Sequence, residues 1–533
     1  MKKKLDAEKA GPLESIEERF KTVSKLKGDI SKYPLTKNDG ISFDTDKAKS
    51  RDFAEVFTPL HTVDEMLNVL PEKGMTSSTN NLDLCAGQGQ FTVRMLRKLY
   101  EESGRTLDLQ DYLAGHHFFN ELQLESCFKL LWVFGNKINL AIGDALQLGK
   151  MPGNWRGVWL WLASIDSWVN VTSYVQLLCS RYNIEEESLF VEAMNKLIIG
   201  KSLEEMKAVL DGKAERYDVV FSNPPYQAMD GGHGASATPI YHEIVMYAID
   251  VLKPHYVCMI TPSRWMAGGK GLNDYRARML KDRHLRVIQD FPGNTEVFES
   301  VNISGGVSYF LWDRDYNDQC EFNGVLRDIG EFDVLVRDNI SHQILKKIRA
   351  NHKAIFCNEK VLPSKPFGLR TFFKDWIPEG TPGAVKTYNR LNGNNQYTLA
   401  ENLKDEQGVL GKWKVLTSSA NGAGQECDKT GAKSVLANTL IAKPAEACTE
   451  TLIVAGAFST KKEAENYSAY MKTKFYRFML SLRVITQHIT QDRFSWVPDL
   501  GNYSKAWTDE ELYKHFNLTI KEIEHIEKSI KAF

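Results

Sequence analysis

The sequence predicts an α/β protein, a parallel sheet flanked by helices, followed by a second region of mixed α+β character. Three observations predict it. Short apolar runs alternate with helix-length amphipathic segments from Arg51 to about Asp315, the rhythm of βαβ units. Several of these runs stop at glycine, proline or an acid, where a strand gives way to a turn. Beyond about 330 the alternation fades into long Gly- and Asn-containing loops, notably Gly393 to Gln396 and Ala420 to Gly431. A chain of 533 residues is also too long for one ordinary core, so two or three domains are expected. We divide it into a polar lead-in over 1–50, an α/β domain over 51–330 and a C-terminal domain over 331–533.

The lead-in is Lys-rich, with one short helix expected near Leu13 to Leu26. Asn81 to Cys85 reads as a buried strand, followed by a glycine turn and a helix through Tyr100. Leu113 to Glu121 is expected as the second strand, with a helix to Phe134 after it. Ile138 to Ile142 is the third, closed by Gly143 and Asp144. Residues 150–212 break the rhythm with four tryptophans (155, 159, 161, 168) and a helical stretch. They read as an insertion whose tryptophans form a small core of their own. The alternation resumes with a strand at Tyr217 to Ser222, a helix at Ile240 to Leu252 and a strand at Tyr256 to Thr261. A helix at Leu272 to Lys281 and strands at Leu285 to Asp290 and Gly305 to Trp312 complete it.

Composition narrows the class. Hydrophobic residues make up 43% and charged residues 25%, as in soluble globular proteins. No stretch reaches the roughly 20 apolar residues of a membrane span. The N-terminus lacks the apolar core of a signal peptide, so a cytoplasmic location is expected. Eight cysteines are scattered without a CxxC pair, which argues against a zinc ribbon or a disulfide scaffold. No metal site is expected. The net charge is −1, so any nucleic-acid binding needs a local basic surface.

Asp83-Leu84-Cys85-Ala86-Gly87-Gln88-Gly89 follows the first strand and opens a helix. Glycines there let a ligand approach the backbone, and the helix start is electropositive. A dinucleotide fingerprint would want a third glycine where Thr92 stands, and an acid roughly 20 residues on. Here the acid is Glu121, farther away, and Asp144 follows the third strand. The turn holds no Lys or Arg, which disfavours a polyphosphate. A ribose, an adenine and a sulfonium without phosphate suit this set, so S-adenosylmethionine is the expected cofactor.

The run Tyr217 to Tyr226 ends in Asn223-Pro224-Pro225-Tyr226. Two prolines cannot continue a helix or a ladder, since neither has an N–H to donate. They stiffen the backbone and fix the direction of the carbonyl between them. The Asn223 side chain, the Pro224 carbonyl and the Tyr226 ring can then converge on one flat amine, as nitrogen methylation requires. Two stretches are candidate polyanion contacts, because basic and aromatic residues interleave without an acid. From 361 to 374 these are Lys365, Arg370 and Lys374 among Phe367, Phe372 and Phe373. From 470 to 491 they are Lys472, Lys474, Arg477, Arg483 and His488. In the second stretch, Phe475, Phe478, Met479 and Leu482 also have the spacing of an amphipathic helix packed on a core.

These motifs resemble those of adenine-specific DNA methyltransferases of restriction–modification systems. The subgroup is the one with cofactor motifs first and a target-recognition region last. The likeness runs from Phe53 to roughly Asp313 and is looser beyond. Glu55-Val56-Phe57-Thr58-Pro59 resembles the leading motif, which implies that Phe57, Thr58 and Pro59 fold over the cofactor. Asp83, Gly87 and Gly89 match the glycine motif, with Gln88 in place of the usual small residue. Glu121 and Asp144 fall where the ribose and adenine are held. Asn223 to Tyr226 matches the catalytic motif, and Gly305 to Phe310 resembles a late strand whose aromatic, Phe310, packs on the flipped base. The resemblance implies a Rossmann-like S-adenosylmethionine-dependent methyltransferase fold with a C-terminal target-recognition domain. It also implies base flipping in double-stranded DNA, and it raises a separately encoded restriction endonuclease as a partner. The rival readings are methylation of RNA bases or protein glutamine, cytosine-N4 methylation, and a non-catalytic DNA-binding subunit.

Overall fold

The computed structural model describes residues 11–23, 58–200, 216–227, 238–269, 271–293, 297–298, 303, 305–351, 355–390, 395–420, 432–484 and 489–533. The chain divides into two compact units, Met1–Asp333 and Val334–Phe533.

The first unit is built on an eleven-stranded sheet. Its strands are β1 (Asn81–Asp83), β2 (His117–Glu121), β3 (Asn139–Ile142), β4 (Val158–Leu162), β5 (Ser167–Asn170), β6 (Val219–Ser222), β7 (Tyr256–Pro262), β8 (Leu285–Phe291), β9 (Val307–Asp313), β10 (Cys320–Phe322) and β11 (Val325–Arg327). Their order is β11-β10-β8-β9-β7-β6-β1-β2-β3-β4-β5. The central strands from β7 to β4 are parallel, and β9 runs antiparallel between β7 and β8. This is a doubly wound, Rossmann-like α/β sheet. Strand order reverses between β1 and β6, so the crevice at their carboxyl ends is the topological switch point, where such sheets bind ligands.

Helices cover both faces, which is why β1, β2, β3, β4 and β6 are buried at every position and why β4 and most of β6 read as continuous apolar runs. The helix Gln90–Glu102 begins at Gly89, whose φ is +87°. A Cβ there would stand 2.4 Å from the Phe134 ring, so only glycine lets this helix seat against its neighbour Leu124–Phe134. The lead-in helix Pro12–Val23 buries Leu13, Ile16, Phe20 and Val23, a helical stripe, and joins the same core.

Two expectations are corrected. Leu113 belongs to a helix, Leu109–Gly115, because Asp108 caps it by accepting from the backbone N–H groups of Gln110 and Asp111; β2 begins only at His117. The tryptophans form no core of their own. Trp159 and Trp161 lie in β4 and Trp168 in β5, both strands of the main sheet. Trp155 packs on Phe118 and donates to the Tyr217 hydroxyl at 3.0 Å. The end of the expected helical stretch, 201–215, lies outside the described residues.

The second unit contains two three-stranded sheets. One joins β12 (Ala384–Tyr388), β13 (Asn395–Leu399) and β16 (Glu446–Cys448); the other joins β14 (Trp413–Ser418), β15 (Leu440–Ala442) and β17 (Leu452–Phe458). Helices Lys461–Lys472, Asp509–His515 and Ile520–Ser529 each start at a threonine capping box, in which hydroxyl and carboxylate satisfy backbone N–H groups that the helix leaves open. The mixed α+β character expected for this region is thus present. Among the described residues no helix is long and apolar enough to cross a membrane, and no group of His, Cys, Asp or Glu could hold a metal ion.

Candidate functional site

Because β1, β2, β3 and β6 are parallel, their carboxyl ends share one edge of the sheet. Asp83 ends β1, Glu121 ends β2, Asp144 follows β3 and Asn223 follows β6. The residues singled out in sequence are therefore brought together by topology.

The glycine turn is held from two sides. Glu121 Oε2 accepts the Gly87 N–H at 2.7 Å, and Oε1 accepts from Leu122 and Gln123 at 2.8 and 2.7 Å. Three backbone donors fix this carboxylate while the turn wraps over it. Asp83 lies beneath, wholly buried. The Thr92 hydroxyl donates to Asp83 Oδ2 at 3.1 Å and meets His117 Nε2 at 2.9 Å. Burial, partly offset by Thr92 and aided by the charge of Glu121, pushes the Asp83 carboxyl up to about 8. Burial pulls His117 down to about 3. Asp83 therefore anchors the first turn of the following helix through Thr92. The residue pair Thr92 and His117 was missed in sequence; its one signal was a threonine where a dinucleotide site would place glycine. Asp144 is exposed, its side chain accepting the Leu146 N–H at 3.0 Å.

These residues fit the expected cofactor. A buried, anchored carboxylate beside a half-exposed Gly87 suits a ribose, and the exposed Asp144 can meet an adenine edge. No cation in the turn would answer a phosphate.

At the end of β6, Pro224 is buried and Pro225 exposed, with Asn223 and Tyr226 half-buried. Asn223 Nδ2 donates to Thr58 Oγ1 at 3.1 Å. This contact places the leading motif on the diproline corner, although Phe57 itself, with Glu55 and Val56, lies outside the described residues. Thr58 is buried, and Pro59 starts the helix Leu60–Asn68. Among the described residues nothing donates to the Pro224 carbonyl. The Tyr226 carbonyl accepts the Ile240 N–H at 3.3 Å, which pins the far end of the corner. The Tyr226 hydroxyl is buried without a partner among the described residues; burial, and then Tyr241, push its pKa up.

Phe310 is corrected. It is 2% exposed in β9, flanked by Met259 of β7 and Ile288 of β8. A side chain enclosed there has no face for a base.

In the second unit the two basic stretches part ways. Arg370 is exposed and lies over the Phe372 ring at 5.5 Å, with Phe372 67% exposed. Phe373 packs edge-on to Trp376, and Lys365 is half-exposed nearby in sequence. By contrast, Lys474 pairs with Glu527 at 2.6 Å, and Arg477 is buried, donating to backbone carbonyls of Lys472, Thr473 and Lys531. Lys472 lies over the Phe533 ring at 5.3 Å. The helix Lys474–Ser481 is buried along Phe475 to Leu480. Lys472 and Lys474, both half-buried, thus already make packing and pairing contacts within this unit. His488 lies outside the described residues.

Comparison with known proteins bears on this edge. Residues 160–298, which include the diproline corner, match the model of the Eco57I restriction-modification methylase family. A segment of 113 residues is 34% identical to a protein of Mycoplasma pneumoniae described as an uncharacterized adenine-specific methylase, covering 20% of this chain and 26% of that one. Among solved structures, the ATP-dependent Type ISP restriction-modification enzyme LlaBIII bound to DNA aligns with 97% of this chain and 42% of its own, at 13% identity and a TM-score of 0.42. A modification subunit of a putative type I restriction enzyme from Vibrio vulnificus aligns with 51% of this chain and 47% of its own, at 14% identity and a TM-score of 0.30. The chain thus spans about a quarter of the curated relative it matches and under half of these two structures.

Proposed function

We propose that this chain is a site-specific DNA methyltransferase that moves a methyl group from S-adenosylmethionine to the N6 amine of adenine in duplex DNA. The observation that carries the reading is the Asn223–Thr58 contact at the same strand edge as Asp83, Gly87, Glu121 and Asp144. It unites the motif that would hold an amine with the motif that would hold the cofactor. The family match over 160–298 and the relative described as an adenine-specific methylase support it.

When bound, the cofactor supplies an electrophilic methyl group on a sulfonium. The turn at Gly87 and Gly89, the carboxylates of Glu121 and Asp144, and Phe57, Thr58 and Pro59 would hold it. An adenine amine is a poor nucleophile because its lone pair is delocalised into the ring. Asn223 and the Pro224 carbonyl would each accept one of its N–H hydrogens and favour a pyramidal nitrogen. Thr58 takes the donor end of the Asn223 amide, which turns the oxygen end toward the substrate. No covalent enzyme intermediate is needed. Catalysis is then mostly positioning, which can supply roughly 7–11 kcal/mol. The base must leave the duplex, at a cost of a few kcal/mol, and stacking on Tyr226 would return roughly 1–3 kcal/mol. The second unit would recognise the target, with Lys365 and Arg370 as phosphate contacts. A separately encoded endonuclease would complete a restriction–modification pair, and the site of action would be the cytoplasm.

Incubation with duplex DNA and methyl-labelled cofactor, followed by nucleoside analysis, tests this. Label in N6-methyladenine is expected. Label found only in RNA, in protein glutamine or in N4-methylcytosine would overturn it.

A further inference from the structure

Next to β6, the strand that ends in the diproline corner, β7 runs parallel and ends at Pro262. Ser263-Arg264-Trp265 comes directly after it, on the same edge of the sheet. Ser263 and Trp265 are buried and Arg264 is exposed. The Arg264 guanidinium has no ion pair or hydrogen bond among the described residues. The nearby acid Asp290, on β8 beyond β9, is buried and accepts the Ser263 hydroxyl at 2.7 Å instead.

The surroundings of Arg264 connect it to the corner. Trp265, next to Arg264, packs edge-on to Tyr275 at 5.5 Å, and Tyr275 packs edge-on to Tyr241 at 6.2 Å; the charge of Arg264 opposes the upward shift that burial gives the Tyr241 phenol. Tyr241 follows Ile240, whose N–H donates to the Tyr226 carbonyl of the corner at 3.3 Å. On the other side, Ser263 N–H donates to the Gly306 carbonyl at 3.0 Å, which lays the Gly305-Gly306 turn alongside. Gly305, at φ +92°, faces the Arg264 backbone with no side chain between. An exposed cation beside a glycine, where no side chain fills the space, suits a tetrahedral anion.

We propose that Arg264 binds a phosphodiester of the DNA strand that carries the target adenine, fixing the extruded nucleotide against the diproline corner. This rests on the function proposed above. Arg264 is a positioning residue: it grips the backbone and leaves the transferred methyl group untouched.

The test uses the full chain with Arg264→Ala and Arg264→Lys. Affinity for duplex DNA is measured by fluorescence anisotropy at several salt concentrations, beside methyl-transfer kinetics and cofactor binding. Arg264→Ala is expected to lower kcat/KM on duplex DNA at least tenfold. It should reduce the slope of log affinity against log salt by about 0.9, the contribution of one phosphate, with cofactor affinity unchanged. Arg264→Lys should recover most of the slope. An unchanged slope overturns the proposal, as does a loss of cofactor affinity, which would assign Arg264 to the cofactor's carboxylate. Should Arg264→Ala fail to fold, Arg264→Gln takes its place and the same slope decides. A wild-type chain that binds duplex DNA without methylating it would sink the methyltransferase reading, while the slope still decides Arg264.

Discussion

Thr58 and Asn223 lie 165 positions apart and meet through one hydrogen bond of 3.1 Å. An amide has two ends that look alike in shape and differ in chemistry, so the partner of one end decides what the other offers. Thr58→Val keeps the shape of the side chain and removes the acceptor. Methyl transfer at saturating cofactor should then fall by roughly 100-fold through loss of orientation; steady-state kinetics over a range of cofactor concentrations checks this. Asp83 is a second residue whose surroundings set its chemistry. Its folded carboxyl titrates at about 8, against an ordinary value of 3.8, so the folded state holds a proton that the unfolded state has released. That contribution is present at low pH and is lost as pH rises through 8. His117, held at about 3 by burial, acts in the opposite direction below its ordinary value of 6.5 and is neutral in both states above it. Stability should therefore decline from pH 6.5 to 8, and Asp83→Asn should flatten that decline in denaturant titrations. The proton on Asp83 is invisible in sequence; it follows from full burial beside the Thr92 hydroxyl.

At the scale of elements, the sheet is legible in sequence wherever burial on both faces forces an apolar run. The strands expected at Tyr217 to Ser222 and Tyr256 to Thr261 agree with β6 and β7 to within two residues for that reason. Leu113 is ambiguous because its apolar neighbours suit a strand as well as a helix, and the Asp108 cap that decides between them is one residue of local signal. The tryptophans mislead because β4 and β5 form a hairpin on the sheet edge, a pairing that single-strand periodicity cannot reveal. Phe310 is equally ambiguous: an aromatic on a late strand points either to a pocket or to a core, and neighbours on both sides decide for the core. The helix Gln90–Glu102 offers a direct test. Gly89→Ala forces a left-handed residue with a Cβ 2.4 Å from Phe134, costing roughly 1–2 kcal/mol for the backbone and about 1–3 kcal/mol for overpacking. A drop of this size in unfolding free energy is expected, and an unchanged value would show that this turn is not held by packing on Phe134.

Across the whole molecule, two units carry different parts of the reading. The first holds the strand edge with its motifs; the second, from Val334 onward, holds the candidate DNA surface. Its two basic stretches look alike in sequence because Glu527, the partner of Lys474, lies 53 positions away. Arg370→Ala should weaken duplex DNA binding and lower its salt dependence by about one phosphate contact. Lys474→Met should leave that dependence unchanged and reduce thermal stability instead. Anisotropy titrations over a range of salt, with melting curves for both variants, separate the two roles. The central claim, that Asn223 presents an acceptor to an adenine amine, is tested most directly by comparing wild type with Asn223→Ala. Both are supplied with duplex DNA and methyl-labelled S-adenosylmethionine, and cofactor binding is measured in parallel. N6-methyladenine is expected from the wild type. The variant should lose at least about 100-fold in rate, as for removal of a preorganised hydrogen bond, at equal cofactor affinity. A variant that methylates adenine as fast as the wild type would contradict the claim.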